Sequence, residues 1–581
     1  MVSMNTSRRD FLRTTAAAGA AFAVPCGWGA DAKPIFRVGL MTDTHIGKDR
    51  KSCGLVKAAW ELFKRERVDL VVNLGDIADH HYPTGYAAYR ACIDETFPGG
   101  VGKPDELYVY AWHDAYDYKG SIDRGVPHYV EAFADTERLL GATNGQFCAR
   151  EYAGFPFLVV PQMLRTREMR EQFERMVEDA CAKHPGKPVF VFDHIPPKGT
   201  TFNSATWGDQ FRREFYGRHP QIVAITGHTH GSIRDENCIW QGEFTVVNCG
   251  CLQHWSGELV GTNDKSKDSY GVLVMDLYAD KAVFRRFDDV RNPVEYRTDA
   301  PWTVPFPFDR ATAPYAPARR RARAAAPAFA AASVLSVNPD TIPCSAIRLS
   351  WPQIPDPNPA YKYKIEVETT AAGGKRRPLV RRDVCGEFFL PEGQRAKTLV
   401  HDISAAFFEK GRRYRIVVTP VGFFGNEGKP LVSELTAPAA VDDVEKTVLD
   451  VRDPGGKYPA VTAVLGNERT EAKDGWFSNL GRLDLPKAIW EAPKGTRFRC
   501  VVDIETEAGE PDSFILGFVH PSPLQYQGRV RTPSGVPGKR RYVFEFARWD
   551  TEKFYSFYTQ GGPGRVRLDR IVISRLKGKD S

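Results

Sequence analysis

Beyond its first 32 residues the chain has no apolar run approaching the 18 or more residues that a membrane-spanning helix needs, which excludes a helical membrane protein. Its 11 cysteines include no C-x-x-C and no regular spacing. That argues against a structural zinc site, and the odd count argues against a complete disulfide framework. Cys344 with Cys385 is the pair to test for a bridge, against the equal alternative of two buried thiols. Net positive charge is also scarce, at +7 over 581 residues, and part of it sits in the first few residues and in one arginine cluster, so nucleic acid is not indicated. Histidine is nearly missing from the second half: 11 of 13 precede residue 260, which confines imidazole chemistry to the first part.

What is present is ordinary soluble composition, with 42% hydrophobic and 26% charged residues. The length exceeds a single core and implies two to four domains. The first residues carry an address. Ser7-Arg8-Arg9-Asp10-Phe11-Leu12 precedes a weakly apolar, alanine-rich stretch and an A-x-A site at Ala30-Asp31-Ala32. This resembles a twin-arginine export signal over residues 1–32, against the alternative of a short amphipathic helix. Cys26 would suggest a lipoprotein signal, which Val24-Pro25 fits poorly. The mature chain is expected to start near Lys33, in the periplasm, at the cell surface or outside the cell.

From residue 33 to about 300, short apolar runs alternate with helical patterns. FRVGLMTD, VDLVVNLGD, ELYVYAWHD, FPFLVVP, PVFVFDH and QIVAITGH read as strands. GLVKAAWELFKRER places Leu55, Ala58, Ala59, Leu62 and Phe63 on one helical face, and REQFERMVEDACAKH does so with Phe173, Met176, Val177 and Ala180. Strand-helix-strand order predicts an α/β layered domain with ligands gathered beyond the strand ends. Those ends read Asp43-Thr44-His45, Gly75-Asp76-Ile77-Ala78-Asp79, Trp112-His113-Asp114, Asp193-His194 and Gly227-His228-Thr229-His230. Carboxylates with imidazoles suit borderline divalent metals such as Mn, Fe or Zn. In extended chain the first and third residues of D-x-H share a side, so Asp43 and His45 are expected to grip one ion, and His228 and His230 share that i, i+2 relation.

The blocks MTDTHIG, GDIAD, AWHD, FDHIP and GHTH come in the order of the calcineurin-like metallophosphoesterases, and the chain resembles that family over about residues 34 to 300. The resemblance implies a four-layer double β-sheet sandwich flanked by helices, and a site for two divalent metal ions. It implies that Asp43, His45 and His230 hold the first metal, that Asp76 bridges both, and that His194 and His228 hold the second. It further implies that His113, oriented by Asp79, faces the substrate as general acid or transition-state stabiliser. The reaction implied is hydrolysis of a phosphate mono- or diester by a metal-activated hydroxide.

One position departs from the family. Where its members have Asn before the histidine of the third block, this chain has Trp112, and an indole offers no lone pair to a cation. Water, Asp114, His80 or His81 would fill the vacancy, or the second metal would be weak, or turnover would be lost. Downstream, FTVVNCGCLQHW resembles the family's strand closing the site, with His254 a weak candidate for substrate binding beside Trp255. YGVLVMDLYADKAVFRRFD alternates like a hairpin expected to complete the second sheet.

Residues 301–332 are rich in Pro and Ala, with Arg319, Arg320, Arg321 and Arg323 clustered, and read as a linker or a surface strap. From there the chain becomes all-β. Residues 333–438 resemble a fibronectin type III sandwich, with Trp351 inside and Tyr414 heading a late strand. Residues 441–581 suggest a second, jelly-roll-like sandwich similar to carbohydrate-binding modules, in which Trp476, Phe477, Trp549, Tyr555 and Tyr558 form either a sugar platform or core. Two functions are therefore in contention: an exported phosphoesterase held near a glycan or cell-surface polymer, and a degenerate relative acting as a binding or scaffold protein.

Overall fold

The computed structural model describes residues 33–47, 52–80, 82–115, 125–133, 147–253, 270–338, 346–370, 376–404, 412–436, 444–452, 461–462, 482–484, 487–493, 496–506, 515–519, 526–531, 538–547, 556–560 and 566–577. The export signal, His81, His254 with Trp255, Cys344, Trp476, Phe477, Trp549 and Tyr555 lie outside the described residues.

The described residues of the first part form thirteen strands. In chain order they are β1 (Phe36–Met41), β2 (Leu70–Asn73), β3 (Asp105–Tyr108), β4 (Cys148–Tyr152), β5 (Phe155–Val159), β6 (Val189–Phe192), β7 (Ile222–Thr226), β8 (Ile239–Gln241), β9 (Thr245–Asn248), β10 (Val272–Leu277), β11 (Lys281–Asp288), β12 (Val294–Tyr296) and β13 (Trp302–Pro305). One sheet runs β12-β11-β10-β1-β2-β3, with β13 also on β11, and the other runs β4-β5-β6-β7-β9-β8. β1, β2 and β3 are parallel, as are β5, β6, β7 and β9. The helices are α1 (Cys53–Glu66), α2 (Tyr82–Thr96), α3 (Trp112–Ala115), α4 (Gly125–Ala132), α5 (Arg167–Lys183), α6 (Ser204–Trp207), α7 (Gln210–Tyr216) and α8 (Pro317–Arg323).

The strands are apolar on both faces because both faces are covered. Val38, Leu40, Val72, Phe157, Phe190, Phe192, Ile225 and Met275 fill the space between the sheets. Trp60, Phe63 and Ile93 from α1 and α2 cover the outside of the first sheet. Phe173 and Val177 of α5, with Phe215 of α7, cover the outside of the second. Full burial of each such side chain stabilises by about 1.5–3 kcal/mol. The result is a four-layer sandwich, helix on sheet on sheet on helix.

The hairpin β10–β11 joins the opposite sheet from the one expected. β10 pairs antiparallel with β1, from Phe36 opposite Leu277 to Leu40 opposite Leu273, while β9 has already closed the second sheet beside β7. Alternation locates a hairpin but not the sheet it enters, because an open edge at β1 and the outer edge of β8 offer the same backbone groups.

The Pro/Ala/Arg segment is embedded at several points. β13 pairs with β11, and Arg320 of α8 reaches Glu236 Oε2 at 2.7 Å and Ile239 O at 2.9 Å. Beyond it, β14 (Ser336–Asn338), β15 (Ala346–Pro352) and β18 (Thr398–Ser404) form one sheet in the order β14-β15-β18. β16 (Lys362–Thr370), β17 (Arg376–Cys385), β19 (Arg413–Val421) and β20 (Leu431–Thr436) form a facing sheet in the order β17-β16-β19-β20. Phe388, Phe389 and Leu390 from this part join the core between the two sheets of the first. The last part is again β-rich: Val444–Arg452, Val566–Leu576, Arg497–Thr506 and Gly538–Ala547 make a four-stranded sheet, and a five-stranded sheet accompanies it. Among the described residues no helix is long and apolar enough to cross a membrane.

Candidate metal centre

The chemistry-bearing residues sit just past the ends of β1, β2, β6 and β7, but not on a pleat. Asp43 and His45 have φ of 53° and 41°, Asp76 has 51°, and His228 and His230 have 68° and 46°. Left-handed backbone is uncommon for residues with a Cβ and is retained where the surroundings over-determine it. The expectation that D-x-H and H-x-H act as extended chain is therefore corrected: two-residue spacing succeeds here through turns that curl back over the sheet edge. Two glycines make room for them. A Cβ on Gly75, at φ 103°, would stand 2.5 Å from the Ala111 Cβ and 3.3 Å from His194 Nδ1. One on Gly227 would collide with Thr42 Oγ1 and lie 2.7 Å from Asp43 Oδ2.

Backbone bonds tie these turns together across the strand ends. Asp43 N–H donates to Gly75 O at 3.0 Å and His45 N–H to Asp76 O at 2.9 Å, while Asp43 Oδ2 accepts from His228 N–H at 3.0 Å. Asn248 of β9 braces the last turn by donating to Gly227 O at 2.7 Å.

The side chains then converge. Asp43, His45 and His230 bring one donor atom each within 4.8 Å of one another, and so do Asp76, His194 and His228; His45, Asp76 and His113 form a third such set between them. His45 Nε2 lies 3.2 Å from His230 Nε2, and Asp43 Oδ1 lies 3.2 Å from His230 Nε2 and 3.7 Å from His45 Nε2. His194 Nε2 is 3.1 Å from Asp76 Oδ2. Two donors about 2.1 Å from one cation and 90–110° apart stand about 3.0–3.4 Å from each other, so the spacing suits a shared ion. Asp43 Oδ1 and His194 Nε2 are buried without a hydrogen bond. Buried polar atoms are ordinarily satisfied, so bare atoms facing one another fit divalent cations.

The charges respond to this crowding. Burial alone would raise the Asp43 carboxyl, yet the imidazoles of His230 and His194 hold it well below the usual range. Asp76 is likewise lowered, against burial, chiefly by His194. Burial opposes a proton on His194, but Asp76 and Asp43 push its pKa up to about 10. His228, buried beside charged His194, falls to about 4.

His113 completes the ring. Its N–H bonds Asp76 Oδ1 at 2.9 Å, and its Nδ1 lies 2.9 Å from Asp79 Oδ1. Burial disfavours its charged form, but the bond to Asp79 and the charge of Asp76 leave its pKa raised. Trp112 opens α3, exposed to solvent, with its N–H held by Gln162 Oε1 at 2.7 Å. Asp114 does not replace the missing amide. Its Oδ1 accepts from the N–H groups of Ile77 and Ala78, both at 3.0 Å, and burial followed by the charge of Asp76 raises its pKa to about 7. His80 gathers with Asp79 and His113 rather than with Asp76, His194 and His228. Asp193, a strand-end residue, turns away to pair with buried Arg212 and accepts from Tyr216 Oη at 3.1 Å. Sequence reading missed Trp207 of α6, whose ring stands 6.4 Å from that of His228; no motif marks it.

A four-layer sandwich with facing Asp and His donors at its strand ends is compatible with divalent metal binding. Residues 36–232 match the calcineurin-like phosphoesterase family, and residues 5–25 match the twin-arginine translocation (TAT) pathway signal sequence. The chain thus carries a calcineurin-like phosphoesterase domain and is exported by the twin-arginine route. Among solved structures it is similar to a dimetal phosphatase from Danio rerio, with 15% identity, 45% of this chain and 99% of that chain covered, and a TM-score of 0.32. It is also similar to a CBM4 structure, with 9% identity, 23% and 96% covered, and a TM-score of 0.14. No curated protein matches the chain.

Proposed function

We propose that this is an exported metal-dependent phosphoesterase that hydrolyses a phosphate mono- or diester. The observation that carries the reading is the pair of bare buried atoms, Asp43 Oδ1 and His194 Nε2, inside two donor sets that share a wall. Asp43, His45 and His230 would hold one cation, Asp76 would lie between, and His194 with His228 would hold the other. Bound there, divalent ions such as Mn, Fe or Zn would supply Lewis acidity toward phosphoryl oxygens and acidify water. Because Trp112 offers no lone pair, the second ion rests on three side chains and is the weaker of the two. His113 gives its proton to the leaving oxygen. Asp79, on Nδ1, fixes the tautomer so that Nε2 is the nitrogen available to substrate.

The test is hydrolysis of aryl phosphate mono- and diesters by the mature protein loaded with Mn, Fe or Zn. Activity that falls about 10²–10⁴-fold in His113→Ala while two ions stay bound supports the assignment. A metal-free, inactive chain would leave the scaffold reading instead. The two β-rich parts carry the domain to its surroundings. For the first, the order β14-β15-β18 against β17-β16-β19-β20, with Trp351 and Tyr414 buried between, supports the fibronectin type III likeness over 333–438. For the second, 441–581, retention on insoluble polysaccharide that disappears on its deletion would support a glycan partner.

A further inference from the structure

His80 is the residue of the second block that the two-cation reading leaves unused. It follows Asp79 directly, in left-handed backbone at φ 59°, and its N–H bonds His113 O at 3.4 Å. That conformation throws its ring across the outer side of the Asp79–His113 pair. The His80 and His113 ring centres are 4.5 Å apart and inclined by 40°. His80 Nε2 lies 3.6 Å from Asp79 Oδ1, the same oxygen that stands 2.9 Å from His113 Nδ1 and 4.0 Å from His45 Nδ1.

One carboxylate oxygen therefore collects three imidazoles. The inner of them, His45, already belongs to the sets around Asp43 and Asp76. The outer two make a separate set with Asp79, whose donors lie within 4.8 Å of one another. All three residues are half-buried, unlike Asp43 and His194, which solvent does not reach. Two imidazoles and one carboxylate with an open side are the donor types of a borderline-metal site that exchanges with solvent, and they exclude Mg or Ca as the preferred ion.

We propose that Asp79, His80 and His113 form a third cation site, weaker than the inner two and suited to Zn(II), whose filling switches hydrolysis off. The inhibition rests on the role given to His113 above: an ion shared with Asp79 binds Nδ1 in place of the proton bonded to Asp79, which goes to solvent, and the metal-bound imidazole is a far poorer acid at Nε2 than the imidazolium it replaces. Low zinc then activates the enzyme by filling the inner sites, and higher zinc inhibits it.

The experiment titrates metal-free mature protein with Zn(II), counting bound zinc by equilibrium dialysis and following aryl phosphate hydrolysis in parallel. His80→Gly removes the ring and suits the left-handed backbone; His80→Asn also tolerates that conformation but is a poor zinc donor. Wild type should bind three equivalents, the third at least tenfold weaker, with activity falling as it binds. Both variants should bind two and keep their activity to at least tenfold higher zinc. A wild-type count of two, a third equivalent that persists in both variants, or a third equivalent without inhibition overturns the proposal. A chain that hydrolyses nothing at any loading fails the phosphoesterase reading, whereas the zinc count judges the site separately.

Discussion

Two neighbouring residues at the end of β6 meet opposite fates. Asp193 is buried and saturated: Arg212 pairs with it, Tyr216 donates to it, and Arg212 Nη2 goes on to Pro161 O at 2.9 Å and Gln162 O at 3.0 Å. His194, one residue later, is equally buried, yet its Nε2 has no hydrogen bond and faces two carboxylates. The same contrast holds between whole regions. Beside the first β-rich part, Glu236 is shared by Arg286 at 2.8 Å and Arg320 at 2.7 Å, and Trp302 Nε1 donates to it at 3.3 Å. In the metal centre Asp43 and Asp76 are lined up with imidazoles in geometry that leaves atoms bare. Buried charge that is paired internally holds a fold together, whereas buried charge left open is reserved for something that binds.

The largest test of this contrast is Arg212→Ala, which leaves Asp193 buried and unpaired. Equilibrium denaturation should show about 3–5 kcal/mol lost. Asp43→Asn should cost far less stability in metal-free protein and abolish metal-dependent hydrolysis. If both variants lose stability equally, the distinction between the regions fails. Metal removal comes next. An ion present at a hundred times its dissociation constant stabilises the folded chain by about 2.7 kcal/mol, so chelation should lower the melting temperature of wild type and leave Asp43→Asn unmoved. Arg320→Ala should cost about 1–3 kcal/mol in denaturant, because Glu236 keeps Arg286.

The last test is a pH slope. Asp235 Oδ2 is buried without a hydrogen bond, and burial raises its pKa to about 7. The unfolded chain releases this proton near pH 4, while the folded chain keeps it until near pH 7. Its contribution is complete below pH 4 and declines as pH rises to 7, by at most about 1.4 kcal/mol per unit. Asp235→Asn, which can still cap the Asn237 N–H, should flatten that decline in urea midpoints measured from pH 4 to 7.

Much of the first domain was legible because its parallel strands are covered on both faces and so spell uninterrupted apolar runs. All six of the strands read from the sequence are present, and β4 was missed because CAREY alternates weakly and has charge on its exposed side. The donor set was legible through five ordered blocks. Which chain atoms stand bare was not, since Asp193 and His194 are the same kind of signal until Arg212, 18 residues past His194, is folded against one of them. The same limit applied to Asp114, whose backbone partners at Ile77 and Ala78 lie 37 and 36 residues away. Arg320 gave no hint of leaving a basic, solvent-like run to bury itself against Glu236.

Residue types and their order, read alone, determined the layers, the export address and the inventory of metal-binding groups, because periodicity, short motifs and donor chemistry are local properties. Which carboxylates are neutralised by arginines, which face imidazoles, and that His80 curls over the Asp79–His113 pair were decided only by the tertiary structure. Those outcomes depend on left-handed turns and contacts between residues far apart in the chain, whose energies exist only once the sheets have packed.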